Sequence, residues 1–161
     1  MGLGIPARLV ALLALLLALA LCFQAARLFR QDLLFTRVET ELGFWGREAY
    51  HPRPATIERT GQQLHRLLAR APADPQYLVL LANYAAWRGY WAQDPEQGQQ
   101  FERQAVQAQY AALESRPAHR QSWAKMLQYA SRVQDGKAMR AAAQARLQAL
   151  RPGSGPQQAH P

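Results

Sequence analysis

The sequence predicts an all-α protein with one N-terminal transmembrane helix, a juxtamembrane helix that continues it, and a small array of helical hairpins. Three observations carry that expectation. Residues 9–26, LVALLALLLALALCFQAA, hold no charge and one polar side chain, Gln24. Apolar residues further on recur at helical spacing, and the same start signal, Asp-Pro, appears at Asp74-Pro75 and again at Asp94-Pro95. A helix-turn-helix junction is repeated at an offset of 45 residues. The predicted order is an N-terminal tail (1–8), a transmembrane helix (9–26), a juxtamembrane helix and connector (27–55), a helical domain (56–151) and a disordered tail (152–161).

The first helix is argued from length. A bilayer core of about 30 Å takes about 20 apolar residues at about 1.5 Å each, and the 9–26 block with Arg8 and Arg27 at its ends comes close to that. A cleaved signal peptide has a similar layout, and Ala18-Leu19-Ala20 offers a small-x-small site. Cleavage there would leave a chain beginning with apolar Leu21, Cys22 and Phe23, whereas the helical pattern runs on unbroken, which favours an uncleaved anchor. Leu19-Ala20-Leu21-Cys22 also resembles a bacterial lipobox, but Leu21 stands where that motif needs a small residue. Orientation is less decided. Arg27, Arg30 and Arg37 outnumber the cations before the helix, which argues for a cytoplasmic C-terminal part; the signal-anchor layout argues for the periplasm, which is the expected side. The single cysteine excludes an intrachain disulfide and fits either compartment.

From Phe29 to Leu42 the anchor helix is expected to continue, with Leu33, Leu34, Val38 and Leu42 spaced for burial. Gly43, Gly46 and His51-Pro52-Arg53-Pro54 then break it. Phe44 and Trp45 fit either the lipid interface or packing against the domain. Thr56 can cap a helix from Ile57 to Arg70, with Ile57, Leu64, Leu67, Leu68 and Ala71 on one stripe. Asp74-Pro75 starts the next helix, Pro75 to about Trp91, since proline loses nothing at the first helical position. Asp94-Pro95 starts another, Pro95 to Ser115, which Pro117 ends. Gln121 to Val133 follows, with Trp123, Met126, Leu127, Ala130 and Val133 on one side. Asp135-Gly136 turns into a last helix ending near Leu150, and PGSGPQQAHP forms the tail.

The repeated junction aligns LLARAPADPQYLVLLANYAAW (67–87) with AALESRPAHRQSWAKMLQYAS (111–131), matching Pro72 to Pro117, Gln76 to Gln121, Leu81 to Met126 and Tyr84 to Tyr129. A third ending, LQALRP, puts Pro152 another 35 residues on. Periods near roughly 34 residues belong to stacked helical hairpins, each of which buries its apolar face only against a neighbour. The pattern resembles a degenerate tetratricopeptide-like array.

No catalytic pattern emerges. The four histidines (His51, His65, His119, His160) fall in no ligand spacing, there is no zinc motif, nucleophile elbow or phosphate loop, and the 11 carboxylates are dispersed. The expectation is a protein that is not an enzyme, with no metal and no cofactor. Seventeen arginines and two lysines give a net charge of +8, but they are scattered one or two at a time, so nucleic acid is not the expected partner. The sharpest constellation is aromatic. Tyr77, Tyr84 and Trp91 recur every seven residues with Trp87 and Tyr90 beside them, which makes these five the candidate partner- or glycan-binding residues. Core packing explains the same helix, because it is apolar nearly all round.

The order of short anchor, juxtamembrane helix, ELGFWGREAY, RPATIERTG and RAPADPQYLVLLANYAAWRGYW resembles the small membrane-anchored accessory proteins of bacterial Vps-type exopolysaccharide biosynthesis, over roughly residues 30 to 133. That resemblance implies an accessory role in polysaccharide production or export and supplies no catalytic residues. Two functions are therefore expected. One is a non-catalytic scaffold of the inner membrane, single-pass with its C-terminal domain periplasmic, that contacts membrane lipid and docks an envelope protein partner. The other is direct binding of an acidic polysaccharide through arginines and the aromatic helix.

Overall fold

A computed structural model describes residues 5–151, with side chains from residue 9 onward. The predicted tail, 152–161, lies outside the described residues, as does the start of the chain. Six helices and no strand are present among the described residues: α1 (Ile5–Phe44), α2 (Pro54–Leu68), α3 (Pro75–Trp91), α4 (Pro95–Ser115), α5 (Arg120–Ala130) and α6 (Lys137–Ala149). The described residues divide into two compact units, one up to Arg37 and one from Val38 on.

The first unit is helical. From Leu9 to Phe29 its large apolar side chains are exposed, Leu16 at 61% and Phe23 at 71% for example. This helix is long and apolar enough to cross a membrane. The backbone runs through Arg27 without a break, as the continuing pattern of Leu33, Leu34, Val38 and Leu42 predicts. Gly43 is inside α1 rather than at its end. The stop comes at Gly46, whose φ of +86° is open to glycine without the clash a Cβ brings.

The second unit is built on α3. Its sequence, PQYLVLLANYAAWRGYW, is apolar around most of its circumference, and such a helix is stable only when surrounded. The link 92–94 folds α4 back along it, and these two helices share the most extensive packing in the unit. Small side chains make that approach possible: Ala82, Ala85 and Ala86 of α3 meet Ala105 and Ala108 of α4 in one buried cluster that also holds Val106, Leu113, Met126, Tyr129 and Ala143. At the linked end Gly89 and Gly98 continue the small seam; a Cβ on Gly98 would lie 3.5 Å from the Gly89 carbonyl oxygen. The second most extensive packing is between α5 and α6. Both repeated junctions, α2 to α3 and α4 to α5, thus fall between helices that share less surface.

Local chemistry sets the helix ends. Asp74 caps α3 by accepting from the backbone of Gln76 at 2.8 Å and Tyr77 at 3.4 Å, and Asp94 caps α4 by accepting from Glu96 at 3.1 Å and Gln97 at 3.3 Å. An Asp74→Ala chain is expected to lose about 1 kcal/mol of stability, read as a lower urea midpoint at an unchanged slope. The start of α2 differs from the Thr56 cap expected: Pro54 occupies its first turn, Arg53 precedes it without a side-chain cap, and Thr60 instead bonds back to the Thr56 carbonyl at 2.8 Å. Proline at that position presets φ, which outweighs the missing cap. α5 starts one residue early because His119 Nδ1 accepts from Ser122 N at 3.3 Å, and it ends at Ala130, where Ser131 turns its hydroxyl onto the Gln128 carbonyl at 2.7 Å. Arg140 of α6 donates to the Ala130 carbonyl at 3.3 Å, placing a cation at the negative end of α5.

Candidate functional site

The five aromatic residues of α3 do not form one surface. Tyr77 is buried, 7% exposed, near the start of the helix. Tyr84 and Trp91 sit against Trp45, and Trp87 lies against Trp91. The Trp45 ring lies 5.8 Å from Tyr84 and 5.1 Å from Trp91, and Trp87 stacks on Trp91 at 5.2 Å with a 27° tilt. Trp45 is 4% exposed and donates from Nε1 to Glu41 at 2.9 Å, so it packs inside the unit. Its neighbour Phe44 is partly exposed, with the Arg47 guanidinium 4.6 Å from its ring centre. Tyr90 stands outside the cluster, 68% exposed, edge-on to Trp87 at 5.7 Å.

Glycines open the space for this cluster. Trp87 covers Gly46, and Tyr84 lies over Gly61 of α2, where any Cβ would collide with its ring and hydroxyl. The Tyr84 hydroxyl donates to the Ile57 carbonyl at 3.4 Å and accepts from Arg88 at 3.1 Å. Arg88 in turn rests 4.6 Å above the Phe101 ring, tying α3 to α4. Tyr50 donates to Glu41, and that hydrogen bond raises the tyrosine above its ordinary pKa. The aromatic helix thus packs largely within the unit, with Tyr90 exposed and Trp87 and Trp91 half-buried.

Two clefts flank the cluster. One, of about 590 Å3, lies between α2 and the α3–α4 link, with Ile57 and Trp91 as apolar lining and Glu58, Arg88, Asp94 and Gln97 as polar lining. The other, of about 300 Å3, lies between α3, α5 and the end of α1, lined by Trp45, Asn83, Trp87, Lys125, Gln128 and Arg132 among others. No Asp or Glu lines this second cleft. Its residues were missed by sequence reasoning, although Lys125 and Gln128 have the i, i+3 spacing that puts them on one side of α5; Arg132 joins them from the turn after that helix. Among the described residues, no group of three or more His, Cys, Asp or Glu could hold a metal ion. Comparison with protein-family models, characterised proteins and solved structures finds no match.

Tyr129 forms part of the second cleft, and burial pushes its hydroxyl up to about 12, with Arg132 pulling the other way. The folded state therefore holds the neutral phenol. Below pH 10 both states are neutral and this contribution is fully present. As pH rises from about 10 to 12 the unfolded chain ionises first, and up to roughly 3 kcal/mol of stability is lost. A Tyr129→Phe chain is expected to lose less of its urea midpoint across that window than the native chain.

Proposed function

We propose that this chain is a single-pass, non-catalytic scaffold of the bacterial inner membrane, whose C-terminal domain lies in the periplasm and docks a protein of polysaccharide biosynthesis or export. The observation that carries the reading is the run of uncovered apolar side chains from Leu9 to Phe29, which water cannot solvate cheaply and a bilayer can. The docking surface is the cleft beside α2, read as the groove of a degenerate tetratricopeptide-like array. Its apolar lining and mixed charge suit a protein surface, in which an apolar centre is ringed by polar groups. The chain acts by holding its partner at the membrane, and it needs neither metal nor cofactor.

The experiment is purification of the tagged chain from detergent-solubilised membranes. A polysaccharide synthesis or export protein is expected to accompany it, to be lost with Glu58→Arg in the cleft, and to be kept with Glu114→Arg elsewhere. Retention with Glu58→Arg sinks the docking surface. Alkaline phosphatase fused to the C-terminus is expected to be active, and an inactive fusion puts the domain on the cytoplasmic side.

A second reading is favoured by the carboxylate-free cleft. Two cations beside indole rings suit an acidic polysaccharide, bound directly.

A further inference from the structure

Three features of the second cleft point to one kind of ligand. Lys125 and Arg132 are exposed cations on its rim, and the cleft has no acidic side chain to neutralise them. Asn83 and Gln128 add two amides, each able to donate to and accept from a hydroxyl. Trp87, half-buried, adds an indole ring to the lining, together with the buried Trp45 and Tyr129. A simple inorganic anion would use the cations alone, and an apolar molecule would use the rings alone. A sugar carrying an acid group uses all three: its ring face lies on indole, its hydroxyls meet the amides, and its carboxylate meets the planar, two-pronged guanidinium. A volume near 300 Å3 stands at the small end of ligand sites, enough for a single sugar unit of a longer chain.

We propose that the cleft bounded by Asn83, Trp87, Lys125, Gln128 and Arg132 binds a uronic acid unit of an acidic polysaccharide, with Arg132 and Lys125 holding the carboxylate and the Trp87 indole under the sugar ring. This deepens the acidic-polysaccharide reading above and rests on it.

The test uses the full chain in detergent micelles, with tetragalacturonate as the probe and neutral cellotetraose as its comparison, followed by tryptophan fluorescence and calorimetry. Tetragalacturonate is expected to bind, to bind more weakly as salt is raised, and to bind at least about tenfold more tightly than cellotetraose. The double variant Lys125→Gln, Arg132→Gln replaces exposed side chains, so its melting temperature is expected to stay near the native value while uronate affinity falls at least about tenfold. Arg103→Gln, on α4, is expected to bind as the native chain does. Native-like binding by the double variant overturns the cleft assignment and leaves the polysaccharide reading standing. Failure of the native chain to bind tetragalacturonate overturns the uronate proposal; if it also fails to bind sulfated glycans, the reading beneath it falls too. Equal affinity for cellotetraose removes the role of the cations.

Discussion

Replacing Leu15 and Leu16 with arginine is expected to take the chain out of the membrane fraction. Both side chains are exposed on α1, at 56% and 61%, in the middle of the apolar run. Leucine at the centre of a spanning helix contributes about −0.5 kcal/mol to insertion and arginine costs about 3 kcal/mol, so two exchanges shift the balance by roughly 7 kcal/mol. The native chain is expected to resist alkaline carbonate extraction, and the double variant is expected to appear in the supernatant or in aggregates. The same preparation tests the cleavage alternative, because mass spectrometry of a membrane-bound form lacking residues 1–20 would refute an uncleaved anchor.

Trp45→Ala is expected to cost about 3–5 kcal/mol, the range for removing a large buried aromatic side chain. Trp45 is 4% exposed and touches the rings of both Tyr84 and Trp91, so its loss opens a void at the centre of the aromatic cluster. For a domain of this size such a loss lowers the melting temperature by well over 10 °C at about 4–8 °C per kcal/mol. Tyr90→Ala provides the contrast: its ring is 68% exposed, and a change within about 0.5 kcal/mol is expected. A large effect at Tyr90 with none at Trp45 would mean that the cluster is a contact surface rather than a core.

Much of the helical layout was legible in the residues. Asp74-Pro75 and Asp94-Pro95 announce α3 and α4 because a carboxylate can accept from free backbone N–H groups and proline has no N–H to waste. The continuation of α1 past Arg27 followed from the apolar spacing of Leu33, Leu34, Val38 and Leu42. Ends were less legible where two local signals competed, as at α2, where Pro54 starts the helix ahead of Thr56, and at α5, where His119 caps it in place of a more usual residue. The candidate aromatic site was half legible. Seven-residue spacing identifies one side of α3, but it does not say that Tyr77 is covered, or that Trp45, thirty-nine residues before Tyr84, fills the space between the rings.

From the sequence by itself follow the all-helical class, the apolar N-terminal segment and the starts of the central helices, since these depend on charge, hydrogen-bonding capacity and periodicity within a few residues of one another. Only the tertiary structure decided which aromatic rings are buried, that α3 packs most closely on α4 through alanine and glycine, and that Asn83, Lys125 and Arg132 share a cleft free of carboxylates. Those outcomes rest on how closely separate helices approach, and that distance is set by the volumes of side chains far apart in the chain, which no local pattern records.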